Sequence, residues 1–279
     1  MHKSPNLQRV ARGLLCLSRV NEVFRCFFIA NYNWKLILAY LGVIRLQYPT
    51  LVHLKQKTTL KIYSWEDLTT LWVVWFGSEY SLLDTDRKIV DLGANIGAFT
   101  IFAAQNTARS IVAVEPYPET FDKLVSNIKR NHNELQVDPV CSAVDHTLRC
   151  GWMSDDPAIP SYSRQVIFDE PDSRAVRVST ITIAETAARL GGVIDFLKID
   201  IEGHEYELLE KTEISALRTA KRIAVEYHEK SGHIRIKNRL EKAGFTKRRH
   251  RQNGGHGTLE FLRLESGQAD IKDFHSLAK

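Results

Sequence analysis

Cysteine is scarce in this chain of 279 residues, and the four present, Cys16, Cys26, Cys141 and Cys150, form no Cys-x-x-Cys pair. That spacing argues against a zinc site and against a disulfide framework. With no secretory leader ahead of them, reduced thiols and a cytoplasmic setting are expected. Long uncharged apolar runs are also lacking. Lys35 splits the most apolar stretch and leaves residues 36–44, too short to cross a bilayer. Acid is nearly absent from residues 1–45, where Glu22 stands alone against Lys3, Arg9, Arg12, Arg19, Arg25, Lys35 and Arg45, a balance of +6 in a chain whose total is +5. Internal repeats and low-complexity tracts do not occur. What remains, 44% hydrophobic and 25% charged, is the composition of a globular protein with a sizeable core.

The basic start interleaves with Phe24, Phe27, Phe28, Trp34 and Tyr40. Three readings fit residues 1–57: a helical extension that packs its aromatics on the rest of the chain, a basic amphipathic segment lying on an anionic membrane surface, or an organelle-targeting peptide, for which serine is sparse. The first is preferred, because aromatic stripes at helical spacing usually belong to cores.

The chemistry concentrates in Val90-Asp91-Leu92-Gly93-Ala94-Asn95-Ile96-Gly97 and, 24 residues past Asp91, in Glu115, which ends Ile111-Val112-Ala113-Val114. An apolar strand ending in an acid and a glycine turn, then a helix, then a second strand ending in an acid, describes a nucleoside-cofactor site. The glycines let backbone approach the ligand, and the second carboxylate can accept from two ribose hydroxyls. A dinucleotide fingerprint needs glycine at the first, third and sixth positions. Starting at Gly93, those places hold Gly93, Asn95 and Ala98. A nicotinamide oxidoreductase is therefore disfavoured, and a ligand with no pyrophosphate to cradle, such as S-adenosylmethionine, suits the turn.

Along the chain, the spacing predicts a strand over 58–63, a helix from 65 through 76 capped by Ser64 with Asp67, a strand at 88–91, a helix at 97–105, a strand at 111–115, a helix from Pro118 to about 131, and a strand over 137–144 interrupted by Pro139. Residues 145–178 gather Pro157, Pro160 and Pro171 with Asp155, Asp156, Asp169, Glu170 and Asp172 and read as a loop-rich insertion, a lid or substrate wall or else a solvated connection. A short helix at 183–190, an apolar strand at 193–199, a helix at 205–210, a strand at 222–227 and a helix marked by Ile236, Leu240 and Ala243 follow. A hairpin of 245–249 with 258–264 around Asn253-Gly254-Gly255 closes the pattern. Such alternation implies an α/β fold with a doubly wound, mostly parallel sheet and a C-terminal antiparallel hairpin. The expected organisation is an N-terminal helical extension over 1–57, a Rossmann-like domain over 58–265 and a tail over 266–279.

A second constellation runs Phe196-Leu197-Lys198-Ile199-Asp200-Ile201-Glu202-Gly203-His204-Glu205, with Glu226-Tyr227-His228 ending the next strand. Charges at the carboxyl ends of apolar strands are costly unless paired or used, and ligands of open α/β sheets bind at those ends. Asp200 and Glu202 should therefore face the crevice of Asp91 and Glu115, and Lys198 either pairs with one of these acids or takes part in catalysis.

These blocks, together with Phe99-Thr100 and Val114-Glu115-Pro116-Tyr117-Pro118, resemble the FkbM family of S-adenosylmethionine-dependent methyltransferases over about residues 58–250. The resemblance implies a class I methyltransferase fold, methyl transfer usually to oxygen, and acceptors that are often sugars, glycolipids or secondary metabolites. It departs at Leu208-Leu209-Glu210-Lys211-Thr212, where the family carries a glycine. Cofactor roles then fall to Asp91, Gly93, Ala94, Asn95 and Gly97 around its amino-acid and ribose portion, to Glu115 and Pro116 at the ribose, and to Ser142 and Ala143 beside adenine. His228 is the first choice of base for the acceptor hydroxyl, followed by Asp200 and Glu202. Alternatively, Asp200, Glu202, Glu226 and His228 hold a divalent cation that acidifies the hydroxyl. The partner expected is a small-molecule, glycan or glycolipid acceptor, with peripheral membrane contact through residues 1–57 open. A catalytically silent binding module, using the extension and Lys247-Arg248-Arg249-His250-Arg251 on membrane or nucleic acid, is the rival. Nucleic acid is disfavoured because no aromatic stacking platform accompanies that run. Oligomeric state is not legible.

Overall fold

The computed structural model describes residues 20–263 except 32, 157–158, 160–163, 170, 172–173, 229–231 and 254. Helices α1 (Val20–Ile29) and α2 (Trp34–Tyr40) lead into a hairpin of β1 (Thr50–His53) and β2 (Thr59–Ile62), then α3 (Trp65–Leu71), which widens into a π-helical turn over Trp72–Phe76. The alternating region follows: β3 (Lys88–Leu92), α4 (Ala98–Asn106), β4 (Ser110–Val114), α5 (Pro118–Arg130) and β5 (Val137–Val140). After β6 (Ala143–Val144), β7 (Cys150–Ser154), β8 (Val166–Ile167) and β9 (Ala175–Ile181) come α6 (Ile183–Arg189), β10 (Ile194–Ile199), α7 (Glu205–Lys211), α8 (Ile214–Leu217), β11 (Ala220–Tyr227), α9 (Gly232–Lys242), β12 (Phe245–Asn253) and β13 (His256–Arg263).

The central sheet has the order β12-β13-β11-β10-β3-β4-β5, parallel from β11 to β5 and antiparallel at the β12–β13 end. Its inner strands are apolar on both faces because both are covered. Ile89, Ile111, Ala113 and Phe196 join one core, with α4 and α5, while Val90, Leu92, Val112 and Leu197 join another, with α6, α7 and α9. The direction of winding reverses between β3 and β10, and that reversal leaves a crevice at their carboxyl ends.

The structure differs from the expected elements over residues 137–178. The strand predicted over 137–144 ends at Val140. Pro139, which has no N–H to donate, sits on the outermost strand, and after a turn closed by Ser142 N–H to Val140 O at 3.1 Å the chain leaves for a second sheet of order β6-β9-β7-β8. The loop-rich insertion accordingly contains β7, β8 and most of β9, held apart by the segments that carry its prolines and most of its acids. The boundary expected between 57 and 58 falls inside the β1–β2 hairpin, which α5 anchors: Asn127 and Asn131 Oδ1 accept from the N–H groups of Lys61 and Thr59, each at 2.9 Å. The tail and residues 1–19 lie outside the described residues.

Helices α1 and α2 pack on the main core through Cys26, Ala30, Leu36 and Ala39, and Tyr40 stacks on Trp72 with ring centroids 3.9 Å apart. Trp72 donates its indole N–H to Glu22 at 2.9 Å. Trp72→Ala should lower stability by about 3–5 kcal/mol, the range for a buried aromatic truncated to alanine. A urea unfolding curve with an unchanged midpoint would contradict this packing.

Candidate active site

The loop after β3 is shaped by what lies against it. Gly93 has φ +78°, and a Cβ there would sit 1.7 Å from the carbonyl oxygen of Asp200, so the ends of β3 and β10 can approach only if this residue is glycine. Both Gly93 N–H and Ala94 N–H donate to Val114 O, at 3.0 and 2.9 Å, tying the loop to β4. Asn95 is also left-handed, at φ +50°. Its backbone N–H donates to Glu115 Oε2 at 3.0 Å, and Tyr117 N–H donates to Glu115 Oε1 at 3.1 Å. Each carboxylate oxygen thus keeps acceptor capacity for a ligand. Burial pushes Glu115 up to about 7 despite those two donors.

A cavity of about 290 Å³ opens here, with Gly93, Ala94, Asn95, Glu115, Pro116 and Ala143 on its walls. Asn95 Oδ1 is buried without a hydrogen-bond partner, which leaves it ready to accept from a ligand. Three expected cofactor residues do not line the cavity. Asp91 is fully buried beneath it, accepting from Lys198 Nζ at 3.0 Å and from Thr100 Oγ1 at 2.6 Å. Gly97 starts α4 at φ +89°, where a Cβ would meet Leu124 at 2.7 Å. Ser142 turns its hydroxyl to that of Ser179, 3.0 Å away. These three support the site from behind.

Lys198, Asp200, Glu202 and Glu226 also border the cavity. Lys198 reaches Asp91, Gly93 O at 3.1 Å and Asp200 Oδ2 at 3.4 Å. Burial works against its charge, and the carboxylates of Asp91 and Asp200 outweigh burial, holding the ammonium above its ordinary pKa. Lys198 therefore stays protonated and fixes the crevice. Burial and the neighbouring Asp200 raise Glu202 to about 7, and the same two causes raise Glu226 well above a normal glutamate. Glu202 is held at φ +55°, a conformation uncommon outside glycine and asparagine.

His228, the first choice of base in the sequence, stands back from the cavity wall. It does not border the cavity, and its Nε2 lies 3.5 Å from Glu205 Oε1, 3.9 Å from Glu202 Oε2 and 4.0 Å from Asp200 Oδ1. The contact with Glu205, opposed by burial and reinforced by the surrounding acids, raises His228 to about 9, so at neutral pH the ring already carries its proton. Glu205, named in the sequence motif but given no role there, is fully buried and accepts from the N–H groups of Ile201 and Gly203, each at 2.9 Å, setting the loop that presents Glu202. Tyr80, which donates to Glu226 at 3.4 Å, and Val73 and Val74 of the π turn also reach the cavity. So do Met153, Arg164 and Gln165 of the insertion. A lone tyrosine and an overwound turn carry no sequence motif; Glu205 could have been suspected as an acid at the first position of a helix.

A mostly parallel sheet in this order, with a glycine turn and a strand-end carboxylate at the point of reversal, defines a class I, S-adenosylmethionine-dependent methyltransferase. The chain matches the methyltransferase FkbM domain over residues 91–247 and belongs to that family. Among solved structures it is similar to fibrillarin from Aeropyrum pernix with bound S-adenosyl-L-methionine, at 11% identity and TM-score 0.42, covering 66% of this chain and 70% of that one. It is also similar to Trm5b from Pyrococcus abyssi, at 15% identity and TM-score 0.42, covering 77% of this chain and 56% of that one. No match to a curated protein was found.

Glu115 sets the pH response. Protonation below about 7 removes acceptor capacity, so affinity for S-adenosylmethionine should fall as pH drops from 8 to 6, and Glu115→Gln should flatten that dependence. Equilibrium dialysis measures both. For the ligand-free protein the sign reverses: the folded state holds this proton more tightly than the unfolded one, so the Glu115 contribution to stability declines as pH rises from about 4.5 to about 7. Glu115→Ala, which removes the acceptor of the Asn95 and Tyr117 N–H groups and the carboxylate on the cavity wall, should weaken binding of S-adenosylmethionine by about tenfold or more.

Proposed function

We propose that this methyltransferase acts on a hydroxyl oxygen of a small-molecule, sugar or glycolipid acceptor, and that Glu202 takes the hydroxyl proton. The observation that carries the reading is the run of carboxylates along the cavity wall, in which Glu202 alone combines a constrained backbone with a pKa brought to about 7. A base is most effective when its pKa lies near the working pH.

Gly93, Ala94, Asn95 and Glu115 would hold S-adenosylmethionine, which supplies a methyl group already activated by its sulfonium charge. The chain's own contribution is positional and electrostatic. Lys198 fixes the ends of β3 and β10, Glu205 fixes the loop that carries Glu202, and protonated His228 keeps several carboxylates close together without mutual expulsion. The apolar side chains of Val73, Val74 and Met153 exclude water from part of the wall. The cavity lining offers Lys198 and Arg164 and no run of bases that could follow a phosphate backbone, which supports a neutral hydroxylated acceptor over nucleic acid.

A second reading is favoured by one measurement: ligand atoms of Asp200, Glu226 and His228 all lie within 4.8 Å of one another. A divalent cation held there would acidify an acceptor hydroxyl. Chelation that abolishes turnover, with recovery on adding magnesium or manganese, would support the cation over unaided Glu202.

Labelled methyl donor incubated with fractionated glycan, lipid and small-molecule extracts should yield an ether-linked methyl product. Glu202→Gln should lower kcat by about 10²–10⁴-fold, as for loss of a general base, while cofactor binding persists. Full turnover in that variant removes Glu202 from the role.

A further inference from the structure

The second sheet builds its small core around a residue from the cofactor side of the molecule. Tyr117 follows Glu115 by two positions, and its side chain packs with Ala143, Met153 and Val178. Its hydroxyl donates to Asp155 Oδ1 at 2.7 Å, while its backbone N–H holds Glu115 Oε1. Over the ring lies the guanidinium of Arg164, 3.9 Å from the centroid. Arg164 Nη2 donates to Asp156 O at 3.0 Å, and the flat guanidinium matches the ring in a way that a lysine ammonium does not.

The next residue reaches the other functional carboxylate. Gln165 donates its side-chain amide N–H to the carbonyl oxygen of Glu202 at 3.1 Å. Glu205 already accepts from Gly203 N–H at 2.9 Å, so the peptide joining Glu202 to Gly203 is held at both of its polar groups, one from α7 and one from the insertion. A left-handed backbone at a residue other than glycine persists where its surroundings fix it, and Glu202 stands at φ +55°. Arg164 and Gln165 both border the cavity. Two adjacent residues of the insertion thus touch the support of Glu115 and the support of Glu202.

We propose that Arg164 and Gln165 are positioning residues of the methyl transfer, Arg164 steadying Glu115 through Tyr117 and Gln165 steadying Glu202 through its backbone. The Gln165 half rests on the reading of Glu202 as the base, and the Arg164 half on Glu115 at the cofactor. A packing role alone would not send the two substitutions to different constants. Gln165 is exposed, so replacing it leaves the cores intact.

The test is a crossed measurement on the full chain. Equilibrium dialysis gives the affinity for S-adenosylmethionine, and labelled methyl transfer to the extract fraction that takes the label gives kcat at saturating cofactor. Arg164→Ala should weaken cofactor binding about three- to tenfold, the scale of one partly buried cation–π contact, with kcat unchanged and Arg164→Lys in between. Gln165→Ala should lower kcat about three- to tenfold, the scale of one hydrogen bond, with cofactor affinity unchanged. Gln165→Lys, which keeps a donor, should recover part of that loss, and in a Glu202→Gln background the loss should vanish. Hydrogen exchange at the Gly203 amide, which needs no acceptor, should quicken at least about threefold in Gln165→Ala. Cofactor affinity unmoved by Arg164→Ala, both substitutions lowering the same constant, or Gln165→Ala leaving either kcat or exchange at the wild-type value overturns the proposal. Full turnover in Glu202→Gln removes the base reading and the Gln165 half with it. Lost turnover in Glu202→Gln beside wild-type kcat in Gln165→Ala overturns the proposal and leaves that reading standing.

Discussion

The buried pair of Lys198 and Asp91 is the constraint around which the crevice is arranged. Each residue belongs to a neighbouring strand on either side of the reversal in the sheet, and each would be costly alone in that setting. Together, with Thr100 completing one carboxylate oxygen and Gly93 O receiving the ammonium, they lock β3 to β10 where the strands end. The glycine loop can then lie flat over β4, and the backbone N–H groups of Asn95 and Tyr117 can grip Glu115. Asp91 therefore supports the cavity without bordering it.

Beyond this pair the crevice carries more acid than base. Asp200, Glu202, Glu205 and Glu226 crowd around one lysine and one imidazole, and the arrangement is tolerable because its charges are unequally expressed. Glu226 keeps its proton most strongly, Glu202 lies near the point of exchange, and His228 holds positive charge among them. Coupled groups of this kind titrate as a set. Proton transfer at the crevice belongs to the cluster, and the sequence, which showed only strand-end acids, could not rank its members.

What the sequence made legible was local. The glycine turn, the strand-end acids, the capped start of α3, Pro118 at the first position of α5 and the closing hairpin all follow from patterns within a few residues. What escaped depends on distant chain. Gly93 is required by Asp200, more than a hundred residues away, and Tyr80 matters only because β11 ends beside it. The departure of β6 from the central sheet, like the strands of the insertion, depends on pairing with β9 that no short window contains. The charge of His228 escaped for the same reason: it is set by Glu205, which meets it across the fold.

The second sheet has a consequence for how this molecule can diversify. Met153, Arg164 and Gln165 reach the cavity from a layer whose strands hydrogen-bond to one another and not to the central seven. The cavity is consequently lined from two separate frames, with Gly93, Glu115 and Asp200 on the larger and Ala143 and Met153 on the smaller. A lineage can lengthen, shorten or recharge the smaller frame to suit new chemistry while the larger one stays intact, as a lathe keeps its spindle when the tool post is exchanged.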